Sequence, residues 1–159
     1  MPFRIGQGFD FHPFEAGRRL VLGGVEIAHS HGLRGHSDAD VAAHALANAL
    51  LGATGRGDLG RRFPDDDPQY CDADSIQLLV TVWRETAALG WRLVNADLTL
   101  IAQRPRLAPH LSEMCARLAQ ALDADASLIN VKAANPEGIG ALGRGEGAAA
   151  SAIVLLSRE

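Results

Sequence analysis

Lysine is nearly absent from this 159-residue chain: of its 15 basic residues only Lys132 is a lysine, the rest being arginine. Set beside plentiful alanine, that bias points to a GC-rich coding background rather than to a function. Cysteine is scarce too. Cys71 and Cys115 form no CxxC pair, which argues against a disulfide framework and against a cysteine-held structural zinc. A metal bound here must be held by histidine and carboxylate. No apolar run is long enough to span a bilayer, and Met1-Pro2-Phe3-Arg4-Ile5-Gly6 lacks the basic-then-apolar layout of a secretion signal. The expectation is a cytoplasmic protein that engages no membrane. Fifteen basic against 19 acidic residues, a formal net charge of −4, leave no electrostatic footprint for nucleic acid. With no internal repeat and no low-complexity linker, the length and the 47% hydrophobic content suit one domain over 1–159.

Histidine is unevenly placed. His12, His29, His31, His36 and His44 crowd the first 44 residues, and His110 stands alone. Around them the sequence alternates strand-like and helical patterns. Arg4 to His12 sets Ile5, Phe9 and Phe11 on one side of a strand and Asp10 and His12 on the other. Leu20-Val21-Leu22, Gly23-Gly24 and Val25-Glu26-Ile27 predict a tight hairpin, because paired glycines suit a positive-φ turn. A helix is expected over Ser37–Leu51, opened by a Ser37/Asp40 capping box and ended at Gly52. Ile76, Leu79, Val80, Trp83 and Ala87 follow the 3.6-residue period of a second helix between Ser75 and Gly90, and Leu111, Met114, Cys115, Leu118 and Leu122 follow that of a third. Strands are expected over Trp91–Gln103, up to the Pro105 break, over Leu128–Ala133 and over Ala150–Leu156, the last preceded by a glycine-rich loop from Gly138 to Gly147. The fold class is therefore α/β of the α+β type: a two-layer sandwich with helices on one face of a mixed four- to five-stranded sheet. Its other face would stay bare, and self-association is the economical way to cover it.

The residues able to do chemistry fall in a few short stretches. Asp10-x-His12 on a strand directs both side chains to one face, a geometry in which a carboxylate and an imidazole grip one metal ion, although such a pair is more often a surface accident. Asp40 and His44, four apart, share a helix face, and His36 precedes that helix's N-terminus, where free N–H groups suit phosphate. The plain reading makes Ser37 or Asp38 an N-cap and His44 a half-buried helix residue. Taken with Asp10 and His12, His44 instead completes three ligand-type groups for a zinc with an open fourth position. Gly57-Asp58-Leu59-Gly60 and Phe63-Pro64-Asp65-Asp66-Asp67-Pro68 read as solvated loop, with Asp58 able to accept from sugar hydroxyls. Asn135 to Gly147 holds glycines that let backbone N–H groups approach an anion, and Glu137 offers a hard oxygen for Mg²⁺ or Mn²⁺ beside phosphates.

Together these segments resemble one family, the 2-C-methyl-D-erythritol 2,4-cyclodiphosphate synthases of the non-mevalonate isoprenoid pathway. The carrying motifs are Gly6-Gln7-Gly8-Phe9-Asp10-Phe11-His12, Gly35-His36-Ser37-Asp38-Ala39-Asp40-Val41 through His44, and Gly57-Asp58-Leu59-Gly60. Phe63-Pro64-Asp65, Ile101-Ala102-Gln103 with Pro105, Asn130-Val131-Lys132-Ala133 and Gly143-Arg144-Gly145-Glu146-Gly147 follow in the family's order. The resemblance implies a homotrimer around a central cavity, with three active sites between neighbouring subunits. It implies zinc on Asp10, His12 and His44, and Mg²⁺ or Mn²⁺ on the substrate diphosphate and Glu137. His36 and Asn135 match positions that stabilise the transition state. Substrate contacts are implied for Asp10, His12, His36, Ser37, Asp58, Leu59, Gly60, Phe63, Asp65 and Asp67. Further contacts fall on Ala102, Arg104, Arg106, Leu107, Asn135, Glu137 and Arg144, of which the 102–107 segment serves the adjacent subunit's site. Arg144 matches a position near the threefold axis, where a prenyl diphosphate or other anion would bind.

The implied reaction closes 4-diphosphocytidyl-2-C-methyl-D-erythritol 2-phosphate into the cyclic diphosphate and expels CMP. It requires no side-chain nucleophile, and the chain shows no Ser-His-Asp or Cys-His arrangement. Departures are local: Ala134, Asn135 and Pro136 stand where the family usually has threonines, Ala141 where it has an aromatic, and Asn48 and Cys71 where an acidic and a basic residue are common. Two other readings use the same residues: a zinc-dependent phosphoester hydrolase, and a non-catalytic trimeric binder of isoprenoid diphosphates. His29, His31 and His110 read as ordinary surface or loop histidines.

Overall fold

A computed structural model describes residues 2–64 and 66–159. Its framework is a five-stranded mixed sheet built from β1 (Phe3–Ala16), β4 (His31–Leu33), β5 (Arg92–Ile101), β6 (Ile129–Ala134) and β7 (Gly147–Ser157) in the order β4-β1-β7-β5-β6. All neighbours run antiparallel except β5 and β6, which are parallel. Between β1 and β4 the chain makes a separate hairpin, β2 (Leu20–Leu22) and β3 (Val25–Ile27). Its Gly23-Gly24 turn has positive φ at both residues, 58° and 73°, as the sequence predicts.

Three long helices cover one face: α1 (Val41–Thr54), α3 (Ser75–Ala88) and α4 (Leu111–Ala121). Two single turns complete the set, α2 (Leu59–Arg62) and α5 (Gly140–Gly143). The inner face of the sheet is small and aliphatic, with Ala148, Ala150, Ala152, Val154 and Leu156 of β7 beside Ala96, Leu98 and Leu100 of β5. Helix α1 lies against β1 and β7 on one side and against α3 on the other. It is therefore buried nearly all round, which its Ala/Leu composition permits. None of the described helices is long and apolar enough to cross a membrane.

The alternation of β1 is legible in the sequence, but its facing is the reverse of the usual one. Phe3, Ile5, Phe9 and Phe11 point outward, 58%, 70%, 49% and 68% exposed, while Gly6 and Gly8 face the helix. A Cβ on either glycine would sit 1.9 Å from a carbonyl oxygen of α1, that of Ala49 or Ala45. The strand thus lies with its backbone directly on the helix, and its large side chains have only the outer face to occupy. Beyond Gly8 the same inward face presents Asp10 and His12 at the top of α1.

The first helix departs from expectation at both ends. It starts at Val41, not Ser37, because Ala39 takes a left-handed φ of 57°, and its N-cap is Asp40. At the other end it runs past Gly52 to Thr54 and closes on a left-handed Gly55. Strand β7 starts three residues earlier than the Ala150 expected, and β1 extends past His12 to pair with the short β4.

Candidate metal centre and substrate cleft

The end of β1 and the first turn of α1 bring Asp10, His12 and His44 together. Asp10 Oδ2 lies 3.2 Å from His12 Nε2 and 3.0 Å from His44 Nδ1. The two imidazoles meet edge-on, 5.7 Å apart at 65°. Among the described residues this is the one cluster of three or more histidine, cysteine or acidic groups whose ligand atoms fall within 4.8 Å of one another. The chemistry of the donors asks for a cation. His12 Nδ1 is 2.8 Å from the carbonyl oxygen of Arg34, which can only accept, so Nδ1 carries a proton and Nε2 is the nitrogen that faces Asp10. Burial pushes the Asp10 carboxyl up, but hydrogen bonds and attraction from His12 and His44 outweigh it and hold the group at about 2. Two imidazoles and one ionised carboxylate around an open side make a donor set of the kind a divalent metal ion accepts.

The open side is a cleft of about 270 Å³ lined by the three ligands and by Gly35, His36, Ser37, Asn48, Leu59, Gly60, Phe63, Tyr70 and Leu78. His36 stands at its wall with a buried Nε2 that has no hydrogen-bond partner among the described residues, a polar atom suited to a phosphate oxygen. Phe63, 7% exposed, packs edge-on against Tyr70 at 5.1 Å. The turn at 58–60 is tied to α1, since the Leu59 N–H donates to Asn48 Oδ1 at 2.8 Å. A larger groove of about 1030 Å³ lies elsewhere, between α3 and α4 beside Trp83, Arg84 and Arg117; none of the three metal-cluster residues lines it.

The remaining expected residues separate into two groups. Asp58 caps α2 through the Arg61 N–H at 2.9 Å and does not itself line the cleft, which Leu59 and Gly60 after it do. Asp67 caps the 3₁₀ turn at Pro68–Tyr70 and accepts from Gln69, so it serves the loop and does not line the cleft. Asp65 lies outside the described residues. The second group sits at the far end of β5 and β6. Ala102 and Leu107 are buried, whereas Arg104, Arg106, Asn135 and Glu137 are exposed. Gln103 Oε1 accepts the Gly138 N–H at 2.9 Å and Asn135 Oδ1 accepts the Glu137 N–H at 2.7 Å, which ties the glycine-rich loop to the 102–107 segment. None of this group lines the cleft of its own chain, Glu137 is not part of the metal cluster, and Arg144 pairs with Glu146 at 2.6 Å.

Asp40 is corrected. Its carboxylate turns away from His44 and accepts from Gly23 N at 2.8 Å, Gly24 N at 2.7 Å, Ala42 N at 3.0 Å and Ala43 N at 3.1 Å, so it clamps the hairpin turn onto α1. Sequence reasoning missed Ser75 and Tyr70. Ser75 looks like a helix cap, yet Asp74 before it already fills that role through the Ile76 N–H. A serine left over beside a complete cap was the available signal.

With fold and cleft in view, the relatives are informative. The profile of the YgbB family matches residues 3–157. This chain belongs to the YgbB family. Its relatives include the 2-C-methyl-D-erythritol 2,4-cyclodiphosphate synthase of Geobacillus kaustophilus, 57% identical over 98% of this chain and 99% of that protein. A solved 2-C-methyl-D-erythritol 2,4-cyclodiphosphate synthase in its CDP-bound form superposes with a TM-score of 0.89 at 38% identity, covering 97% of this chain and all of that one. The bifunctional IspDF of Campylobacter jejuni superposes with a TM-score of 0.95 at 40% identity; this chain matches it over 99% of its own length and spans 43% of the longer protein. The YgbB match reaches both groups of site residues, the metal cluster and the distant 102–107 and 135–144 segments.

Proposed function

We propose that this chain is a 2-C-methyl-D-erythritol 2,4-cyclodiphosphate synthase, a lyase of isoprenoid biosynthesis that converts 4-diphosphocytidyl-2-C-methyl-D-erythritol 2-phosphate to the cyclic diphosphate and CMP. The observation that carries this is the full-length 57% identity to a relative of that name, on a chain that keeps Asp10, His12 and His44 converged. Within this reading Asp10, His12 and His44 hold zinc, and Glu137 holds Mg²⁺ or Mn²⁺ together with the substrate diphosphate. Bound cations polarise the phosphoryl oxygens and neutralise the crowded charge of the transition state.

The protein's own task is positional, because the attacking 2-phosphate is already part of the substrate. His36 offers its unpaired Nε2 to a phosphate oxygen in the cleft. Ser37 stands beside it, and Asp58, Leu59 and Gly60 form the turn for the ribose. Asn135 supplies an amide where the family usually has a threonine. The 102–107 segment, Glu137 and the cleft lie apart in one chain, which supports a homotrimer whose sites are completed across subunits. Outward-facing Phe3, Ile5, Phe9, Phe11 and Ile153 supply the apolar face for that association. Arg144 would then border a central cavity able to take an isoprenoid diphosphate. One domain over 1–159 and a cytoplasmic setting belong to the same reading, the latter in keeping with free Cys71 and Cys115.

The test is to incubate the purified protein with substrate and Mg²⁺, with and without a zinc chelator. Cyclic product and CMP in equal amounts, lost on chelation, are expected. Incorporation of solvent ¹⁸O into the product would mark a hydrolase, and substrate left intact by the zinc- and Mg²⁺-loaded protein would overturn the activity.

A further inference from the structure

The far side of His44 carries a hydrogen-bond chain that the reaction itself does not call for. His44 Nε2 is 2.8 Å from Ser75 Oγ and 3.2 Å from Ser37 Oγ, and Ser75 Oγ is in turn in very close contact with Asp38 Oδ1. Ser75 is 1% exposed and Ser37 7%, so these hydroxyls are satisfied by protein or not at all.

Counting protons along the chain assigns each one. An ionised carboxylate only accepts, so the single proton of Ser75 is committed to Asp38. Ser75 Oγ can then meet His44 only as an acceptor. The Ser37 oxygen accepts the Ala39 N–H at 3.1 Å, and its own proton has Ser75 Oγ, 3.3 Å away, as acceptor. The proton between His44 and Ser75 must therefore reside on Nε2. In a neutral imidazole this leaves the lone pair on Nδ1, the atom that faces Asp10 Oδ2 at 3.0 Å.

Asp38 is itself fixed. Its Oδ1 also accepts the Asp40 N–H at 3.2 Å, its Oδ2 accepts the Ser75 N–H at 3.3 Å, and its own N–H donates to Ala73 O at 3.2 Å. A fourth bond, Asp72 N–H to His36 O at 2.8 Å, pins the same loop to the segment before α3.

We infer that Asp38 and Ser75 are positioning residues of the metal centre, acting as a carboxylate–hydroxyl relay that keeps His44 in the tautomer and orientation in which Nδ1 faces the metal. This rests on the Asp10/His12/His44 site being a metal centre. The relay does for His44 what the Arg34 carbonyl does for His12. Each ligand nitrogen is prepared by an acceptor on the opposite edge of its ring, a device that typically governs metal affinity by about 10- to 100-fold.

The experiment uses the full chain with Zn²⁺ alone and no substrate. Long-range ¹H–¹⁵N spectra of the wild type, with His44 assigned by comparison with His44→Gln, are expected to show a protonated Nε2 both without metal and with Zn²⁺. An unprotonated Nε2 in either sample overturns the relay. Competition with a chromophoric chelator should show Ser75→Ala binding Zn²⁺ about 10- to 100-fold more weakly, with Ser75→Thr recovering part of the loss because it restores the hydroxyl. Unchanged affinity in a folded Ser75→Ala protein would also refute the proposal. If Ser75→Ala fails to fold, the wild-type spectra still decide. If the wild type binds no Zn²⁺, the metal-centre reading fails, while the metal-free spectrum separately reports whether the relay sets the tautomer.

Discussion

At the scale of single residues, two buried polar groups near the top of α1 have opposite duties. His36 keeps a buried nitrogen without a partner among the described residues, which costs folding energy unless substrate supplies the missing bond. Replacing it with alanine is expected to leave Zn²⁺ affinity unchanged and to lower kcat by about 10²- to 10³-fold, the loss typical of one donor to a developing anion. Single-turnover release of CMP, measured alongside zinc competition, checks both halves. Asp40 does the reverse and spends its whole carboxylate on four backbone N–H groups. Burial pushes this carboxyl up from the ordinary 3.8 to about 6, against the downward pull of the Gly24, Gly23 and Ala43 N–H groups. A carboxyl that holds its proton more tightly when folded loses stability as pH rises from about 4 to about 6. Asp40→Asn mimics the neutral acid and cannot titrate. Its Tm should therefore gain on that of the wild type across this window and run parallel above it. A Tm that falls behind the wild type over the same window would mean that the N–H groups outweigh burial.

At the scale of elements, the close seat of β1 on α1 is what delivers Asp10 and His12 to His44. Gly8→Ala would drive a Cβ into the Ala45 carbonyl, which is backbone and cannot swing aside. The strand must lift from the helix, so the variant should lose about 2–4 kcal/mol in denaturant unfolding, at or above the usual range for overpacking. It should also bind Zn²⁺ more weakly, since Asp10 is two residues along the displaced strand. Gly52→Ala is the control: the nearest atom to its Cβ is Gln7 O at 3.7 Å, an ordinary contact in a helix interior, and it should be neutral or mildly stabilising. Much of this architecture was legible beforehand, because α3, α4 and the hairpin carry strong periodicity and turn chemistry. The candidate metal cluster was legible because Asp10 and His12 share one strand face. The orientation of β1 was not, since alternation states which residues share a face and not which face meets the helix; the glycines decide that, by fitting where Phe cannot. The start of α1 was misread for a related reason. Ser37 and Asp40 both suit a cap, and only contact with Gly23 and Gly24, distant in sequence, selects Asp40. The pairing of Ser75 with Asp38 and His44 was not legible, because it depends on neighbours that the local sequence does not contain.

At the scale of the whole molecule, the sheet has one face covered by helices and one that stays open. The open face is apolar along β1 and at Ile153 of β7, and polar farther across, where Asp97 of β5 accepts from Asn130 at 2.8 Å and pairs with Lys132, both on β6. Such a face suits further copies of the chain, and the separation of the proposed site residues would give association a chemical consequence. Asp10, His12 and His44 belong to one chain, whereas the 102–107 segment and Glu137 stand away from that chain's own cleft. Metal binding and turnover should therefore depend differently on assembly. Ile5, 70% exposed and well before Asp10 on β1, is the place to separate them. By sedimentation, the wild type is expected at three times the 16.8 kDa chain mass, and Ile5→Asp near 16.8 kDa with an unaltered circular dichroism spectrum. The dispersed variant should still bind one Zn²⁺ per chain with affinity close to that of the wild type, yet release no CMP from substrate. If it turned over at the wild-type rate as a single chain, the site would be complete within one subunit and the shared-site assembly would be wrong. Loss of zinc and activity together in a folded single chain would instead mean that neighbouring subunits hold the metal cluster in shape.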